Sequence, residues 1–385
     1  MNRHIAHQIQ AGDLELSLNE GGERLEELMT FASRLNPKRG YLFVSRVLGK
    51  HIPVRPSVMD GIHAELAERI SLYGSTAYVV GMAETAVGLG AGVARHLAAS
   101  CSNCVFHHTT RFLVPNPWVR IREAHSHADT MHMAALNDGP RHIVSEAEDL
   151  VLVDDEVTTG RTLAQLAESL LAQPELAMVK RLHIVSIASW LAPADREALL
   201  NRIPDTIQDV RFVQLMAGQF RFTPSPDYQA QLPMEVDTAF CPVLLDRETG
   251  APRVPIESEG LYGVVATSAA AEHALIPTAQ PVAIFGMGEF LDLPFRLALS
   301  LEQRGADVLF QSSTRSPIAL GDCIESWLEH PAPGAPEKRH FLYNPSMVRS
   351  PLAFDGIGRL DLAEALENSC NHRQAEFNLL RQVAV

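Results

Sequence analysis

Residues 150–163, LVLVDDEVTTGRTL, constrain the fold of this chain more than any other segment. An apolar run ends in two adjacent carboxylates, Asp154 and Asp155, and a turn rich in hydroxyl groups and glycine, residues 158–162, precedes a helical stretch. This order predicts a buried strand, an acidic strand end, a tight loop and a helix N-terminus. Helix N-termini bind phosphate through unpaired N–H groups, and paired carboxylates bind sugar hydroxyls or Mg²⁺. The segment therefore favours a phosphorylated sugar as ligand, with an ordinary acidic N-cap as the alternative.

The same segment resembles the phosphoribosyl-pyrophosphate (PRPP) signature of type I phosphoribosyltransferases: apolar residues, two acids, two spacers, Thr-Thr-Gly, a spacer and Thr. The resemblance implies that Asp154 and Asp155 are catalytic and hold Mg²⁺ together with the ribose hydroxyls. The residues implied to bind the 5′-phosphate of PRPP are Glu156, Val157, Thr158, Thr159, Gly160, Arg161 and Thr162. Thr158 is typical of orotate-type enzymes, whereas 6-oxopurine enzymes have Asp there, so this loop offers no obvious general base.

The composition excludes several other classes of protein. A net charge of −14 argues against a general nucleic-acid binder, which must neutralise phosphates. No apolar stretch is long enough to span a membrane, and the N-terminus has no signal-peptide core. Five cysteines in 385 residues do not suggest a disulfide framework. We therefore expect a cytoplasmic protein without nucleic-acid or membrane partners.

Strand-like and helix-like stretches alternate along the first part of the chain, with TAYVV (76–80), the signature strand and HIVSIASW (183–190) as the clearest strands. Such alternation predicts an α/β fold with a Rossmann-like parallel sheet that binds ligands at the carboxyl ends of its strands. We predict a first domain over residues 1–220, a linker or arm rich in Pro and Gly over 221–260, and a second, smaller α/β domain over 261–385.

The two predicted domains share an internal repeat. Gly81-Met82-x-Glu84 matches Gly286-Met287-x-Glu289, and Thr110-Arg111 matches Thr314-Arg315 with a single one-residue gap between the two matches. A structural repeat predicts that the second domain is also Rossmann-like, and chance similarity is the alternative. Because the second domain lacks the Asp-Asp…Thr-Thr-Gly pattern, we expect no second PRPP site.

The loop after TAYVV is rich in glycine, which lets backbone N–H groups approach a ligand closely. In phosphoribosyltransferases the loop at this position faces the pyrophosphate, which implies that role for Gly81, Met82, Ala83, Glu84 and Thr85. The following GLGAGV (88–93) nearly matches a dinucleotide-binding motif, but Val93 stands where the last glycine should be.

Residues 109–133 concentrate cationic and histidine side chains in an otherwise acidic chain, in a stretch where we predict a long loop. Type I enzymes carry a flexible loop here, which implies that Arg111 binds pyrophosphate and that Arg120, Arg122 and His125 stabilise the charge on the leaving group. A solvated basic loop and a histidine metal site are the alternatives.

A second cationic run, residues 40–56, precedes the first clear strand. In orotate-type enzymes a segment in this position forms the hood over the base, which implies a base-binding role for Arg46, Lys50 and His51. The alternative is an exposed basic turn.

Near the C-terminus the chain reads STRSPI (313–318). A PRPP signature followed by these residues resembles a bacterial family in which a phosphoribosyltransferase domain precedes a "TRSP" domain. Members are associated with tellurite-resistance-type stress gene clusters and are proposed to make a nucleotide-like metabolite. Arg315 and Ser316 could form a second anion contact that reaches the active site, or Arg315 could pair structurally across the domain interface.

The resemblance implies a Mg²⁺-dependent phosphoribosyltransferase, which acts on PRPP and a nucleobase-like acceptor, releases pyrophosphate and forms a homodimer. One alternative is a non-catalytic PRPP or nucleotide sensor. Another is a nucleotide-processing enzyme whose chemistry lies in the TRSP region.

Overall fold

The computed structural model of the chain describes residues 3–36, 39–111, 117–122, 130–136, 138–230, 255–258, 261–264, 281–332, 335–346 and 348–354. The strands are β1 (Arg3–Ile9), β2 (Gly12–Glu20), β3 (Met29–Ser33), β4 (Tyr41–Ser45), β5 (Thr76–Gly81), β6 (Asn103–His108), β7 (Val119–Arg122), β8 (Thr130–Met133), β9 (Asp149–Val157), β10 (Arg181–Ser189), β11 (Asp209–Pro224), β12 (Pro255–Ser258), β13 (Leu261–Val264), β14 (Val282–Gly286), β15 (Val308–Ser312), β16 (Trp327–Ala332), β17 (Ala335–Tyr343) and β18 (Ser350–Phe354). The helices are α1 (Leu25–Leu28), α2 (Pro56–Glu68), α3 (Ala86–Leu97), α4 (Asp138–Val144), α5 (Arg161–Leu171), α6 (Pro193–Leu200) and α7 (Asp292–Gln303). Within these ranges, no helix has the length and apolar character needed to cross a membrane.

The first part of the chain forms a nine-stranded sheet in the order β1-β2-β11-β10-β9-β5-β6-β13-β12. The six strands from β11 to β13 are parallel, whereas β1, β2 and β12 join antiparallel. The central strands β5, β9 and β10 each contain a run of buried, mainly apolar residues, as expected for strands that are covered on both faces. The predicted α/β fold with a Rossmann-like parallel sheet is confirmed.

Helix α3 explains the glycines of GLGAGV, which lie inside the helix rather than in a nucleotide-binding turn. A Cβ on Gly90 would stand 2.9 Å from the Cα of Gly81 in β5, and a Cβ on Gly92 would overlap the imidazole of His63 in α2. These glycines therefore allow α3 to pack closely on its neighbours, which agrees with the rejection of a dinucleotide motif.

The structure differs from the sequence predictions in two segments. The predicted long loop contains the antiparallel hairpin β7–β8 and the helix α4, although residues 112–116, 123–129 and 137 lie outside the described residues. Strands β12 and β13 extend the large sheet, with β13 parallel to β6, so these parts of the predicted linker and second domain belong to the first sheet. Such short edge strands are hard to predict in Pro- and Gly-rich sequence, because that sequence lacks the alternation of apolar and polar residues that indicates a strand.

The C-terminal region is a smaller α/β unit. Strands β14, β15 and β18 form a parallel sheet in the order β15-β14-β18, α7 connects β14 to β15, and β16 and β17 form a hairpin. The predicted second α/β region is confirmed. The sequence also predicts a C-terminal helix from about residue 361, which lies outside the described residues.

The C-terminal region packs against residues 29–55, which we call the hood. Backbone hydrogen bonds join Val54 and Phe310 in both directions, at 3.0 and 2.8 Å. An apolar cluster spans the contact, with Ala32 and Val44 from the hood and Ile318, Ile324, Phe341 and Tyr343 from the C-terminal region.

Candidate functional site

The acidic pair lies at the carboxyl edge of the large sheet. Parallel pairing sets Gly81 of β5 opposite Val153 of β9, and the Met82 N–H donates to the Val153 carbonyl at 2.9 Å. Asp154 and the loop after β5 therefore begin at the same edge of the sheet. The Asp155 N–H donates to Oδ1 of Asp154 at 3.0 Å, which ties the two acids together.

The environment of these acids favours their neutral forms. Desolvation, reinforced by the neighbouring Asp155, raises the pKa of Asp154 well above its ordinary value. Desolvation also raises the pKa of Asp155, while the hydrogen bond from Asp154 and the charges of Lys50 and Arg39 oppose the rise. Two carboxyl groups in this state are well suited to share a proton or a bound cation.

The loop that follows β9 leads directly into α5. Thr158 and Thr159 are half-buried, and Gly160 has φ +65°, a conformation that favours glycine. A Cβ at Gly160 would also stand 2.7 Å from Cδ1 of Leu199. The first turn of α5 begins at Arg161, directly after the two threonines and Gly160, and the N-terminus of a helix is where backbone N–H groups can bind an anion. The assignment of the 5′-phosphate to residues 158–162 stays a prediction.

Two residues of the predicted phosphate loop are placed differently. Glu156 turns to the hood, where its Oε1 accepts a hydrogen bond from Nη2 of Arg39 at 2.6 Å. Val157 is buried, and its carbonyl accepts from the Trp190 N–H at 2.7 Å. The Glu156 side chain is thus bound by Arg39, and the assignment of Glu156 and Val157 to the 5′-phosphate stays a prediction.

The loop formed by residues 81–85 is held between strands. The Ala83 N–H donates to Oγ1 of Thr109 at 2.8 Å, and the Ala83–Glu84 peptide bond is cis. The only charged side chain of this loop is Glu84, which faces Nζ of Lys50 at 3.6 Å and Nε of Arg315 at 4.0 Å. The cations beside the loop that was predicted to face pyrophosphate therefore come from two other parts of the chain, Lys50 from the hood and Arg315 from the C-terminal region.

The three residues predicted to bind the base are separated by the fold. Lys50 is buried beside Glu84, where desolvation lowers its pKa and Glu84 partly restores it. His51 is buried against Tyr343, with ring centroids 5.9 Å apart, and desolvation lowers its pKa to about 3, so it carries no charge at neutral pH. Arg46 is exposed. His51 is therefore neutral and Lys50 lies at the loop after β5, while the base-binding assignment of Arg46, Lys50 and His51 stays a prediction.

A cluster that the sequence did not reveal forms the other side of the acidic pair. The Arg39 guanidinium lies over the Tyr41 ring, 4.8 Å from its centroid, while it binds Glu156. Phe43 stacks on Trp190 with ring centroids 4.7 Å apart. Arg39 lies two residues before the β4 segment YLFV, and a cation just before an aromatic strand was the available signal. The charge of Arg39 acts on Asp155, whereas Phe43 and Trp190 are buried in the core.

The cationic segment after β6 is only partly described. The Arg111 N–H donates to Oε1 of Glu289 at 2.7 Å, and Arg120 is exposed on β7 opposite His132. Arg122 lies on β7, while its side chain and the whole of His125 lie outside the described residues. The catalytic role of Arg120, Arg122 and His125 stays a prediction.

The donor set of the acidic pair suits Mg²⁺. Across the described part of the chain no group of three or more His, Cys, Asp or Glu side chains could hold a metal by itself. Mg²⁺, however, is commonly bound by one or two carboxylates together with phosphate oxygens and water. Asp154 and Asp155, whose charges repel in a desolvated site, fit that mode of binding.

Comparison with known proteins gives two family matches. Residues 28–219 match the family described as phosphoribosyl transferase, and residues 257–353 match the TRSP domain that lies C-terminal to it. A search of curated proteins found no match.

Solved structures similar to this chain include two adenine phosphoribosyltransferases. The enzyme from Trypanosoma brucei, in complex with AMP, pyrophosphate and ribose-5-phosphate, is 14% identical, with 50% of this chain and 78% of that chain covered and a TM-score of 0.36. The enzyme from Rhodothermus marinus is 18% identical, with 50% and 97% covered and a TM-score of 0.34. On the two family matches, the chain belongs to the family in which a phosphoribosyltransferase domain is followed by a C-terminal TRSP domain.

Proposed function

We propose that the chain transfers the 5-phosphoribosyl group of PRPP to a nitrogen of a nucleobase-like acceptor and releases pyrophosphate. The observation that carries this proposal is the arrangement of Asp154 and Asp155 at the end of β9, followed by the Gly160 turn and the N-terminus of α5. A strand end with two acids and an adjoining anion-binding loop matches a ligand that combines a ribose diol with a phosphate. The family's association with stress gene clusters favours a nucleotide-like product.

Each group of PRPP has a complementary part of the site. The 5′-phosphate binds at residues 158–162, the ribose hydroxyls bind Asp154 and Asp155, and the pyrophosphate faces residues 81–85. Arg111, Arg120, Arg122 and His125 lie on the segment after β6, and Arg315 and Ser316 come from the C-terminal region. The acceptor enters on the hood side, next to Arg39, Tyr41 and Glu156.

The chemistry is a substitution at C1 of the ribose. The acceptor nitrogen forms a bond to C1 while the bond from C1 to the pyrophosphate oxygen breaks, and the proton of the acceptor nitrogen passes to solvent. Positive charge develops on the ribose ring and negative charge on the leaving group. The protein contributes chiefly by positioning and by charge stabilisation. Asp154 and Asp155 would hold Mg²⁺, which when bound neutralises charge on the pyrophosphate oxygens.

Calorimetric titration with PRPP, with and without Mg²⁺, tests the proposal on the wild type and on the Asp154→Asn/Asp155→Asn double variant. We expect Mg²⁺-dependent binding by the wild type and its loss in the double variant, since the amides do not replace carboxylate ligands. PRPP binding that is equal in both proteins, when both are folded, would contradict the assignment of the acidic pair.

Turnover separates a transferase from a sensor. With PRPP bound, candidate bases are screened by pyrophosphate release, and Asp155→Asn should lower the rate by about 100-fold or more, the usual cost of losing an electrostatic contact to the transition state. Binding of PRPP without pyrophosphate release by any base would instead favour the sensor.

A further inference from the structure

The C-terminal region repeats the topology of the first sheet. We call residues 76–157 the first copy and residues 282–354 the second copy. In the first copy β5, α3 and β6 are followed by a hairpin and by β9, which pairs with β5; in the second, β14, α7 and β15 are followed by a hairpin and by β18, which pairs with β14. The strand register is also the same in the two copies. The glycine that ends the first strand of each copy lies opposite a residue of the last strand, with Gly81 opposite Val153 of β9 and Gly286 opposite Phe354 of β18.

The loops at the strand ends repeat the same hydrogen bonds. In each copy the Thr or Ser that follows the second strand makes two hydrogen bonds to the end of the first strand and the loop after it. Its backbone N–H donates one, and its hydroxyl oxygen accepts the other. The pairs are Thr109 N to Gly81 O at 3.0 Å and Ser313 N to Gly286 O at 3.1 Å, then Ala83 N to Thr109 Oγ1 at 2.8 Å and Gly288 N to Ser313 Oγ at 2.9 Å.

The next residue of each copy pairs with the hairpin that follows it. Thr110 exchanges two backbone hydrogen bonds with His132 of β8, and Thr314 exchanges two with Phe341 of β17. The predicted repeat is therefore a repeat of topology, register and loop contacts, which chance similarity does not explain. It also makes Arg315 the counterpart of Arg111.

The two copies meet through these repeated elements. Glu84 of the first copy faces Arg315 of the second. In return Glu289, the counterpart of Glu84, accepts hydrogen bonds from Oγ1 of Thr110 at 2.5 Å and from the Arg111 N–H at 2.7 Å. Each copy thus presents its glutamate to the Thr-Arg segment of the other, and Arg95 of α3 also binds Asp292 of α7.

On the Glu84 side the contact involves a second cation, Lys50 of the hood. Lys50 and Arg315 both face Glu84, at 3.6 and 4.0 Å, so two cations share one carboxylate. The buried atoms Nζ of Lys50, Oε1 of Glu84 and Oγ of Ser316 make no hydrogen bond within the described residues. Buried polar groups normally find a partner, and the two unfilled donors, Nζ of Lys50 and Oγ of Ser316, indicate an anion beside Arg315.

The position of this cluster indicates which anion fits. It adjoins residues 81–85, which contain no cation of their own. Pyrophosphate at that loop would need cations from elsewhere in the chain, and an anion there would offset the burial that lowers the pKa of Lys50.

We propose that the C-terminal region is a degenerate second copy of the phosphoribosyltransferase core, and that its Arg315 joins Lys50 to bind the pyrophosphate group of PRPP at the Glu84 loop of the same chain. The proposal rests on the proposed function. Ser316 supplies a hydroxyl donor to the same group, and Glu84 is a positioning residue that holds both cations before the ligand arrives.

Titration with inorganic pyrophosphate in the presence of Mg²⁺ tests Arg315 directly. Arg315→Gln should weaken pyrophosphate binding by about tenfold or more, the usual value of a charge-assisted hydrogen bond, and Arg315→Lys should recover part of it. Binding of ribose 5-phosphate should not change, because that ligand reaches the α5 loop. Arg349→Gln, which removes an arginine paired with Asp307 in the same region, is the matched control and should bind both ligands normally.

The outcomes separate this proposal from the proposed function. Equal pyrophosphate affinity in the wild type and Arg315→Gln, with ribose 5-phosphate still bound, overturns the role of Arg315 and leaves the transferase standing. Loss of affinity for an acidic base such as orotate, without loss for pyrophosphate, assigns Arg315 to the acceptor and also overturns the proposal. A folded wild type that binds neither pyrophosphate nor ribose 5-phosphate overturns both.

A mixing experiment tests whether the second copy acts within its own chain. Lys50→Gln and Arg315→Gln are co-expressed, and their pyrophosphate binding is measured with ribose 5-phosphate binding as the check of folding. If both cations come from one chain, no mixed assembly contains a complete site and pyrophosphate binding stays lost. Recovery of up to about a quarter of the sites, as expected for a shared site in a random dimer, would overturn the placement in the same chain.

Discussion

At the scale of single residues, the acids at the strand end are held in a state that costs the ligand-free protein stability. Desolvation raises the pKa of Asp154 well above the value of about 3.9 that an unfolded chain shows. An acid whose pKa is raised on folding stabilises the folded state while it is protonated, and this contribution is lost as the pH rises through the folded pKa.

Asp154→Asn should therefore raise the melting temperature of the ligand-free protein at pH 8, by about 1–2 °C if roughly 1 kcal/mol is recovered. The gain should shrink toward pH 4.5, where the native carboxyl is protonated. Thermal melts of the wild type and the variant at both pH values measure this, with exposed Asp205→Asn as the control. A gain that is independent of pH, or a loss of stability at pH 8, would contradict the desolvation argument.

The residues of the site that sequence could identify are those that lie together along the chain. Asp154, Asp155 and residues 158–162 form one continuous segment, so their spacing alone predicts their geometry. Arg39 meets Glu156 across 117 positions of sequence, and Lys50 meets Glu84 only because the hood folds over the sheet edge. Contacts of that kind depend on tertiary packing, so the sequence indicated neither the pairing of Lys50 with Glu84 nor that of Arg39 with Glu156.

At the scale of elements, the fit between α2 and α3 depends on the absence of a side chain. A Cβ at Gly92 of α3 would overlap His63 of α2, whereas a Cβ at exposed Gly61 of α2 would meet nothing within 4 Å. His63 is fully buried, so it has no room to move aside.

Gly92→Ala should lower the free energy of unfolding by roughly 1–3 kcal/mol through overpacking. Gly61→Ala should raise it by up to about 1 kcal/mol, because alanine is the better helix former. Chemical denaturation of the two variants beside the wild type measures both effects. Equal and favourable effects of the two substitutions would show that α3 does not pack on α2 as described.

Long buried elements were predictable because their apolar patterns are long. The strands β5, β9 and β10 and the repeat of β14, α7 and β15 follow from sequence in this way. The hairpin β7–β8 and the edge strands β12 and β13 do not, since four-residue strands among Pro, His and Arg residues carry no clear period. Their existence is decided by pairing with β6 and with each other rather than by local preference.

At the scale of the whole molecule, the sequence indicates two units, and the structure adds how they meet. The C-terminal region covers the hood with apolar side chains and exchanges glutamates with the first copy. Neither feature has a local signature, because each side of the interface is an ordinary apolar or charged residue in its own segment. The domain boundaries at residues 220 and 260 stay predictions.

The clearest polar link between the two regions is Asp322. Its Oδ1 accepts from the Gln10 N–H at 3.1 Å and its Oδ2 accepts from the Ser33 N–H at 2.8 Å, so one carboxylate of the C-terminal region ties β3 and the turn between β1 and β2. Its φ of +49° is tolerated by asparagine as well as by aspartate. Asp322→Asn therefore changes the link without changing the backbone.

Asp322→Asn should lower the free energy of unfolding by about 1–3 kcal/mol, because the amide turns an NH₂ group toward one of the two backbone donors. Since the interface joins the hood to both copies, we expect both regions to unfold in one transition that moves to lower temperature as a whole. Calorimetry and tryptophan fluorescence should report the same shift, as Trp190 lies in the first region and Trp327 in the second.

Asp307→Asn, which weakens a pair with Arg349 inside the C-terminal region, is the control and should change the free energy of unfolding by less than about 1 kcal/mol. Two separate transitions, of which only one responds to Asp322→Asn, would show that the regions are stable independently and that the contact between Arg315 and Glu84 does not depend on their joint folding.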